Sequence, residues 1–364
     1  MSTKGRAAIY VEPNQPLVVD EVEFADPGPD QVLVKIFSSG VCHSQLHTMQ
    51  RPARKGQSLP ALLGHESTGI VVAKGREVRH VQEGDHVITT WVDRDSARTN
   101  QPMVLHALND RGQYYANWQG KAVMHSAATW AEYAVAQQRV VLPMPKELAT
   151  DVTAIIGCAV MTGAGAIINT LQVRSGQSVA VFGAGGIGLC ALAAAAIVDA
   201  YPVIAVDISG AKLEFARRFG ATHLVDAKQV DPVQAIKEIT GDGADFAIDA
   251  IGLPLTQEQI LRSVRPGFSG LNKGGTALLI GITPPGAKAV LDTSLFIGNR
   301  CFARTSGGDC KPERDFPIFL RWFRDGKLKL NDLITNRYRL EQINQAVDDL
   351  EHGRILGRGI VTFD

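Results

Sequence analysis

The stretch Ser178-Val179-Ala180-Val181-Phe182-Gly183-Ala184-Gly185-Gly186-Ile187-Gly188 decides the fold. Its apolar, β-branched start reads as a buried strand, its glycines as a tight turn, and the Ala-rich run behind them as a helix. Gly183 permits the turn, Gly185 lets the backbone approach a pyrophosphate, and Gly188 allows close helix packing. The helix N-terminus then offers free amide N–H groups and a positive dipole end to an anion. An acid, Asp207, closes the next strand 24 residues after Gly183. Its carboxylate suits the ribose hydroxyls of a dinucleotide and opposes a 2′-phosphate, so NAD is expected over NADP.

Outward from this turn, strand and helix alternate. Strands are expected at Pro202–Val206, His223–Val225, Asp245–Ala250 and Thr276–Ile280, with a sixth near Arg300–Ala303. Helices are expected at Lys212–Phe219, Val233–Ile239 and Gln257–Val264. Such alternation specifies a doubly wound parallel sheet. Residues 1 to about 155 differ: short runs such as Ala7–Val11, Val32–Ile36, Thr68–Ala73 and His86–Thr90, punctuated by Pro-Gly and Glu-Gly-Asp, make a β-rich domain. Past residue 305 come helices at Phe316–Arg324 and Glu341–Leu350 and a last strand, Gly359–Phe363.

The chain has 364 residues, enough for two domains, with 45% hydrophobic and 20% charged residues. Lys and Arg balance Asp and Glu at 37 each, which gives no electrostatic reason for a nucleic-acid or membrane partner. No apolar signal core follows the N-terminus, and the five irregularly spaced cysteines form no disulfide framework. A cytoplasmic protein with reduced thiols is expected.

Three motifs carry metal and proton chemistry. Gly40-Val41-Cys42-His43-Ser44-Gln45-Leu46-His47 combines a thiol, a hydroxyl and imidazoles. Gly64-His65-Glu66-Ser67-Thr68-Gly69 supplies another imidazole, and Gly157-Cys158 a second thiol. In these three motifs and the glycine-rich turn the chain resembles the zinc-dependent medium-chain alcohol dehydrogenases, essentially from end to end. The resemblance implies a GroES-like catalytic domain, 1–155 with 306–364, and a Rossmann NAD-binding domain, 156–305, inserted between its two parts. It implies one catalytic zinc on Cys42, His65 and Cys158, the two-cysteine, one-histidine set for which this family is the standard example, with Glu66 beside the metal or approaching it transiently. Zinc would activate the alcohol oxygen, and Ser44 and His47 would pass its proton to solvent. His43 and Arg358 would touch the pyrophosphate, and Lys212 the ribose alongside Asp207. Thr162 and Ile187 would flank the nicotinamide, with Ile251 and Ile282 lining the cofactor cleft next to Gly183, Gly185, Gly186 and Gly188. Trp91, Met124 and His125 fall on substrate-pocket positions, which suits medium-chain or aromatic alcohols, and the family forms homodimers or homotetramers.

Two departures stand out. The family's usual aspartate after Ser44, which supports the zinc-bound histidine, is Gln45 here. A glutamine can accept the imidazole N–H through its amide oxygen but brings no charge, so weaker zinc retention or a more electrophilic metal is expected. Many relatives also carry a four-cysteine structural zinc lobe, whereas no cysteine lies between Cys42 and Cys158. Aromatic packing by Tyr114, Tyr115 and Trp118 is expected in its place. Two other functions remain open on the same scaffold: a reductase of conjugated C=C or C=N bonds, and a dinucleotide-binding protein without turnover.

Overall fold

The computed structural model describes residues 2–50, 59–94, 116–125, 128–148, 150–268 and 270–363. The chain divides into two compact units, one of residues 1–158, 311–324 and 330–364, the other of 159–310 and 325–329. Tyr114, Tyr115 and His106 lie outside the described residues.

The first unit is built from short strands: β1 Thr3–Tyr10, β2 Val18–Phe24, β3 Gln31–Val41, β4 Ala61–Leu62 and β5 Ser67–Lys74. β6 His86–Thr89, β7 Ala116–Trp118, β8 Lys121–His125, β9 Tyr133–Gln137 and β10 Val141–Pro143 follow. β1, β2, β7, β8 and β4 close into a barrel filled by Ile9, Val22, Phe24 and Val123. β3 is the long central strand of the second sheet, flanked by β5 and β9. β3 is buried along almost its whole length, with only Lys35 and Phe37 part-exposed, as befits a strand covered on both faces. At the end of β3 the chain turns directly into helix α1, His43–Met49, which the sequence pattern did not suggest.

The second unit contains the expected parallel sheet. Its strands β11 Val179–Phe182, β12 Val203–Asp207, β13 His223–Asp226, β14 Phe246–Asp249, β15 Thr276–Leu279 and β16 Cys301–Arg304 stand in the order β13-β12-β11-β14-β15-β16. All neighbouring pairs are parallel. The order reverses between β11 and β14, so the crevice beyond their C-terminal ends is the ligand position of a doubly wound sheet. Local chemistry fixes the helices. Ser209 caps Gly210–Arg217 with its side chain. Asp231 accepts from the Val233 and Gln234 amides, with Pro232 in the first turn of Pro232–Thr240 and Gly241 behind its end. The helix expected at Gln257 starts earlier, at Pro254, because proline suits a first helical position.

The chain returns to the first unit at Lys311 with the helix Pro312–Arg324. The strand β17, Ile334–Arg339, was not legible in the sequence; the last strand, β18 Arg358–Thr362, pairs with it and runs antiparallel to β3. A core of Tyr10, Leu46, Trp130, Leu340 and Ile343 packs α1 and the helix Ile343–Glu351 onto this region. Trp130 is 1% exposed, and its indole Nε1 donates to the Gly40 carbonyl at 3.0 Å. No single helix among the described residues is long and apolar enough to cross a membrane. Replacing Trp130 by Phe should destabilise the protein by about 1–3 kcal/mol, read as a lower denaturant midpoint with unchanged slope; an unchanged midpoint would mean the Gly40 contact contributes nothing.

Candidate active site

Each sulfur and nitrogen of the metal cluster is aimed by its own piece of the first unit. Cys42 stands at the junction of β3 and α1, as the N-cap residue of that helix. His65 follows Gly64, whose φ of +94° turns the chain between β4 and β5, a conformation that favours glycine. Cys158 ends the single-turn helix Ala154–Gly157, where Thr90 Oγ1 donates to the Gly157 carbonyl at 2.7 Å. The three candidate ligand atoms lie within 4.8 Å of one another. A tetrahedral zinc with bonds of about 2.3 Å places its ligand atoms about 3.7 Å apart, a separation within reach of this cluster.

Electrostatics favours the same ion. Both cysteines are buried. The hydrogen bond from the Cys158 thiol, helped by the charge of Arg358 and against the effect of burial, holds the Cys42 thiol well below its ordinary pKa. That same hydrogen bond, together with burial, pushes Cys158 well above it. One sulfur therefore has thiolate character, and the other keeps a proton that a divalent cation would displace.

Around the donors lies a buried ion pair. Glu66, fully buried, meets Arg358, 4% exposed, through its Oε1 and the guanidinium Nη2. Burial raises the Glu66 carboxyl pKa while Arg358 opposes it. Burial also works against the Arg358 charge, but Glu66, Cys42 and Cys158 outweigh it and keep the guanidinium protonated. Glu66 is not among the three clustered donors; its carboxylate is engaged by Arg358. Arg358, which the resemblance put on a pyrophosphate, thus serves as the counter-ion of the buried carboxylate, while its Nε has no hydrogen-bond partner.

Gln45 is 6% exposed and its amide reaches the His65 Nδ1. The sequence suggested that the amide oxygen would accept there. Oε1 accepts from Ser44 Oγ at 3.3 Å, and which group donates at the His65 contact follows the imidazole tautomer. Ser44 and His47 stand three residues apart on α1, hence on one face. His43 is exposed, His47 half-buried, with ring centroids 6.5 Å apart. The Trp91 indole meets the His65 ring edge-on at 6.5 Å and 85°, and its buried Nε1 has no partner. Met124 and His125 pair with Ala61 and Leu62 in the backbone of β8; their side chains lie outside the described residues.

In the second unit the glycine turn has the expected geometry. Gly183 has φ of +98°, a Cβ on Gly188 would collide with the Gly183 carbonyl, and a Cβ on Gly185 would meet nothing within 4 Å. Gly186 and Ile187 open the helix Gly186–Ile197, which has no side-chain cap. The Asp207 carboxylate is pinned at the tip of β12: Oδ2 accepts from the Ala184 amide at 2.8 Å and Oδ1 from Ser209 at 3.0 Å. Lys212 follows in the next helix. Ile251 and Ile282, past the C-terminal ends of β14 and β15, are 41% and 40% exposed. Thr162 is 4% exposed, with a hydroxyl that has no partner. Thr305, just past β16 and 3% exposed, has the same property; sequence reasoning missed it, and a lone threonine gives no signal to find it.

The comparisons with known proteins agree with this geometry. Residues 28–146 match the alcohol dehydrogenase GroES-like domain, and residues 186–325 the zinc-binding dehydrogenase family. An S-(hydroxymethyl)glutathione dehydrogenase from Synechocystis is 32% identical, over 99% of this chain and 100% of its own. An alcohol dehydrogenase zinc-binding domain protein from Burkholderia ambifaria superposes with a TM-score of 0.92 at 31% identity, both chains fully covered. The benzyl alcohol dehydrogenase of Acinetobacter calcoaceticus gives 0.89 at 29% identity, again over both whole chains. The chain belongs to the zinc-dependent medium-chain alcohol dehydrogenase family. It is an oxidoreductase built from a GroES-like domain and a Rossmann-type sheet.

Removing the charge of Glu66 tests the electrostatic frame of the site. Glu66→Gln removes the hydrogen-bonded carboxylate partner of the buried Arg358 and should cost about 3–5 kcal/mol in a chemical unfolding experiment. A loss below about 1 kcal/mol would show that the pair is dispensable.

Proposed function

We propose that this protein is an NAD-dependent, zinc-dependent alcohol dehydrogenase. It oxidises primary or secondary alcohols of medium-chain or aromatic type and reduces the matching aldehydes or ketones. The observation that carries this is the convergence of Cys42, His65 and Cys158. The ligand set would hold one zinc, with residues 1–155 and 306–364 as the catalytic domain. Residues 156–305 would hold NAD.

Zinc, when bound, supplies a Lewis acid for the alcohol or carbonyl oxygen. NAD, when bound, supplies the hydride acceptor. The chain's own residues do the rest. Ser44 Oγ accepts a hydrogen bond from the substrate hydroxyl, and His47, one turn along α1, carries the proton to solvent. Trp91, held against His65, forms an aromatic wall beside the reacting carbon, which suits benzylic or medium-chain substrates; Met124 and His125 on β8 would complete the pocket. Asp207 accepts from the ribose hydroxyls and Lys212 binds the same ribose, while the glycine turn Gly183–Gly188 leaves room for the pyrophosphate. His43 and the free Arg358 Nε would donate to phosphate oxygens. The partnerless Thr162 hydroxyl is a donor for the nicotinamide side of the cofactor, between Ile187, Ile251 and Ile282. The enzyme would work as a homodimer or homotetramer in the cytoplasm, consistent with five free thiols.

Two measurements test this. With benzyl alcohol and medium-chain alcohols, turnover should proceed with NAD, fall at least about tenfold with NADP, and disappear on chelation until zinc is restored. Hydride delivery to an enone without alcohol turnover would instead support the C=C reductase, and cofactor binding without any turnover the non-catalytic alternative. Replacing Asp207 by Ala should weaken NAD binding by about 1.5–3 kcal/mol and narrow the preference over NADP. An unchanged preference would remove Asp207 from cofactor choice.

A further inference from the structure

Two buried hydroxyls in the second unit have no partner, Thr162 Oγ1 and Thr305 Oγ1, on residues 4% and 3% exposed. Among the described residues they are the only such side-chain atoms of that unit. A buried polar group without a hydrogen bond costs free energy, so a pair of them on touching segments points to a ligand.

The two segments are locked together. Thr162 lies in the helix Ala159–Gly165, and Thr305 extends β16 by one residue, its amide donating to the Leu279 carbonyl at 3.1 Å. Three successive left-handed residues follow, Gly307, Gly308 and Asp309, with φ of +64°, +65° and +47°. That turn seats Gly308 against the helix: a Cβ there would come within 2.6 Å of the Met161 carbonyl and of the Ala166 amide. Asn169 Nδ2 donates to the Gly308 carbonyl at 3.4 Å, and Thr170 Oγ1 to the Asp309 carboxylate at 2.7 Å. The helix also presses on the start of Gly186–Ile197, where a Cβ on Gly163 would collide with the Ile187 carbonyl. A left-handed aspartate is strained, and such strain gathers at ligand sites.

The strand order names the ligand group. Asp207 ends β12 and the glycine turn follows β11, whereas Thr305 follows β16, beyond β14 and β15. A dinucleotide with its adenosine ribose at Asp207 and its pyrophosphate at the turn lays its second half on the β14 to β16 side. In NAD that half ends in a pyridine ring whose one polar substituent is a carboxamide. A carboxamide presents an acceptor oxygen and a donor NH2 group in one plane, and a threonine hydroxyl can donate or accept. Two orphaned hydroxyls on fixed segments match those two ends.

We propose that Thr305 is a cofactor-binding residue: its hydroxyl oxygen accepts from the carboxamide NH2 group of NAD, while Thr162 donates to the carboxamide oxygen. This rests on the NAD-dependent function proposed above. Holding both ends of the amide fixes its plane, and with it the face of the ring offered to the reacting carbon.

The analogue 3-acetylpyridine adenine dinucleotide keeps the oxygen and exchanges NH2 for methyl. Titration calorimetry on the whole protein reads the binding of each dinucleotide without turnover. The nearly isosteric Thr305→Val should weaken NAD binding about five- to tenfold and leave the analogue within about twofold. Thr162→Val should weaken both by similar factors, and Thr305→Ser should restore most of the NAD binding. Ligand-free Thr305→Val, relieved of an orphaned hydroxyl, should keep or raise its denaturant midpoint, which separates lost recognition from lost folding. Thr305→Ala gives the same comparison should the valine variant fail to fold. Equal loss of both dinucleotides in Thr305→Val, no loss of NAD, or a Thr162→Val loss confined to NAD would overturn the assignment. Wild-type protein that binds neither dinucleotide would instead overturn the function beneath the proposal, and is measured first.

Discussion

Two buried thiols and an imidazole held within 4.8 Å of one another are the constraint on which the first unit depends. Left alone, such a cluster is poor packing: the sulfurs compete for one proton, and nothing apolar is gained by their approach. A divalent cation resolves the conflict by replacing that proton and using all three lone pairs. The surroundings are arranged to tolerate charge. Arg358 and Glu66 neutralise each other beside the sulfurs, and the positive partner also favours thiolate at Cys42. Burial alone would forbid either charge; as a pair with close neighbours of both signs they persist.

The second unit solves a different problem with the same economy of parts. A parallel sheet whose order reverses between β11 and β14 leaves a crevice at the strand ends. Gly183, Asp207, Ile251, Ile282 and Thr305 all sit at or just past C-terminal strand ends. Asp207 is pinned by two backbone amides before any ligand arrives, so its carboxylate is pre-oriented rather than recruited. The partnerless hydroxyls of Thr162 and Thr305 are the converse: buried donors that a well-packed unit would satisfy, left open where a polar ligand is expected.

Much of this was legible in the sequence because the signals are local. Gly183 to Gly188 between a strand and an Ala-rich helix leaves little choice of fold, and Cys42, His65 and Cys158 each stand in a short recognisable context. The helix starts expected at Val233 and Gln257 fall one and three residues after the observed Pro232 and Pro254. The rest is non-local or too short to carry a period. Arg358 finds Glu66 across 292 residues, and Trp130 reaches Gly40 across 90; no spacing rule encodes either contact. Helix α1 has seven residues, too few for an amphipathic repeat, and is held by the core around Leu46 and Met49. The orientation of the Gln45 amide depends on its two neighbours, not on its residue type.

X-ray absorption at the zinc edge of the purified protein tests the central claim most directly. The expected spectrum has two sulfur neighbours at about 2.3 Å and one imidazole nitrogen at about 2.0–2.1 Å, with a light atom completing the shell. A shell of oxygen and nitrogen alone, or of four sulfurs, would contradict convergence of Cys42, His65 and Cys158 on one ion.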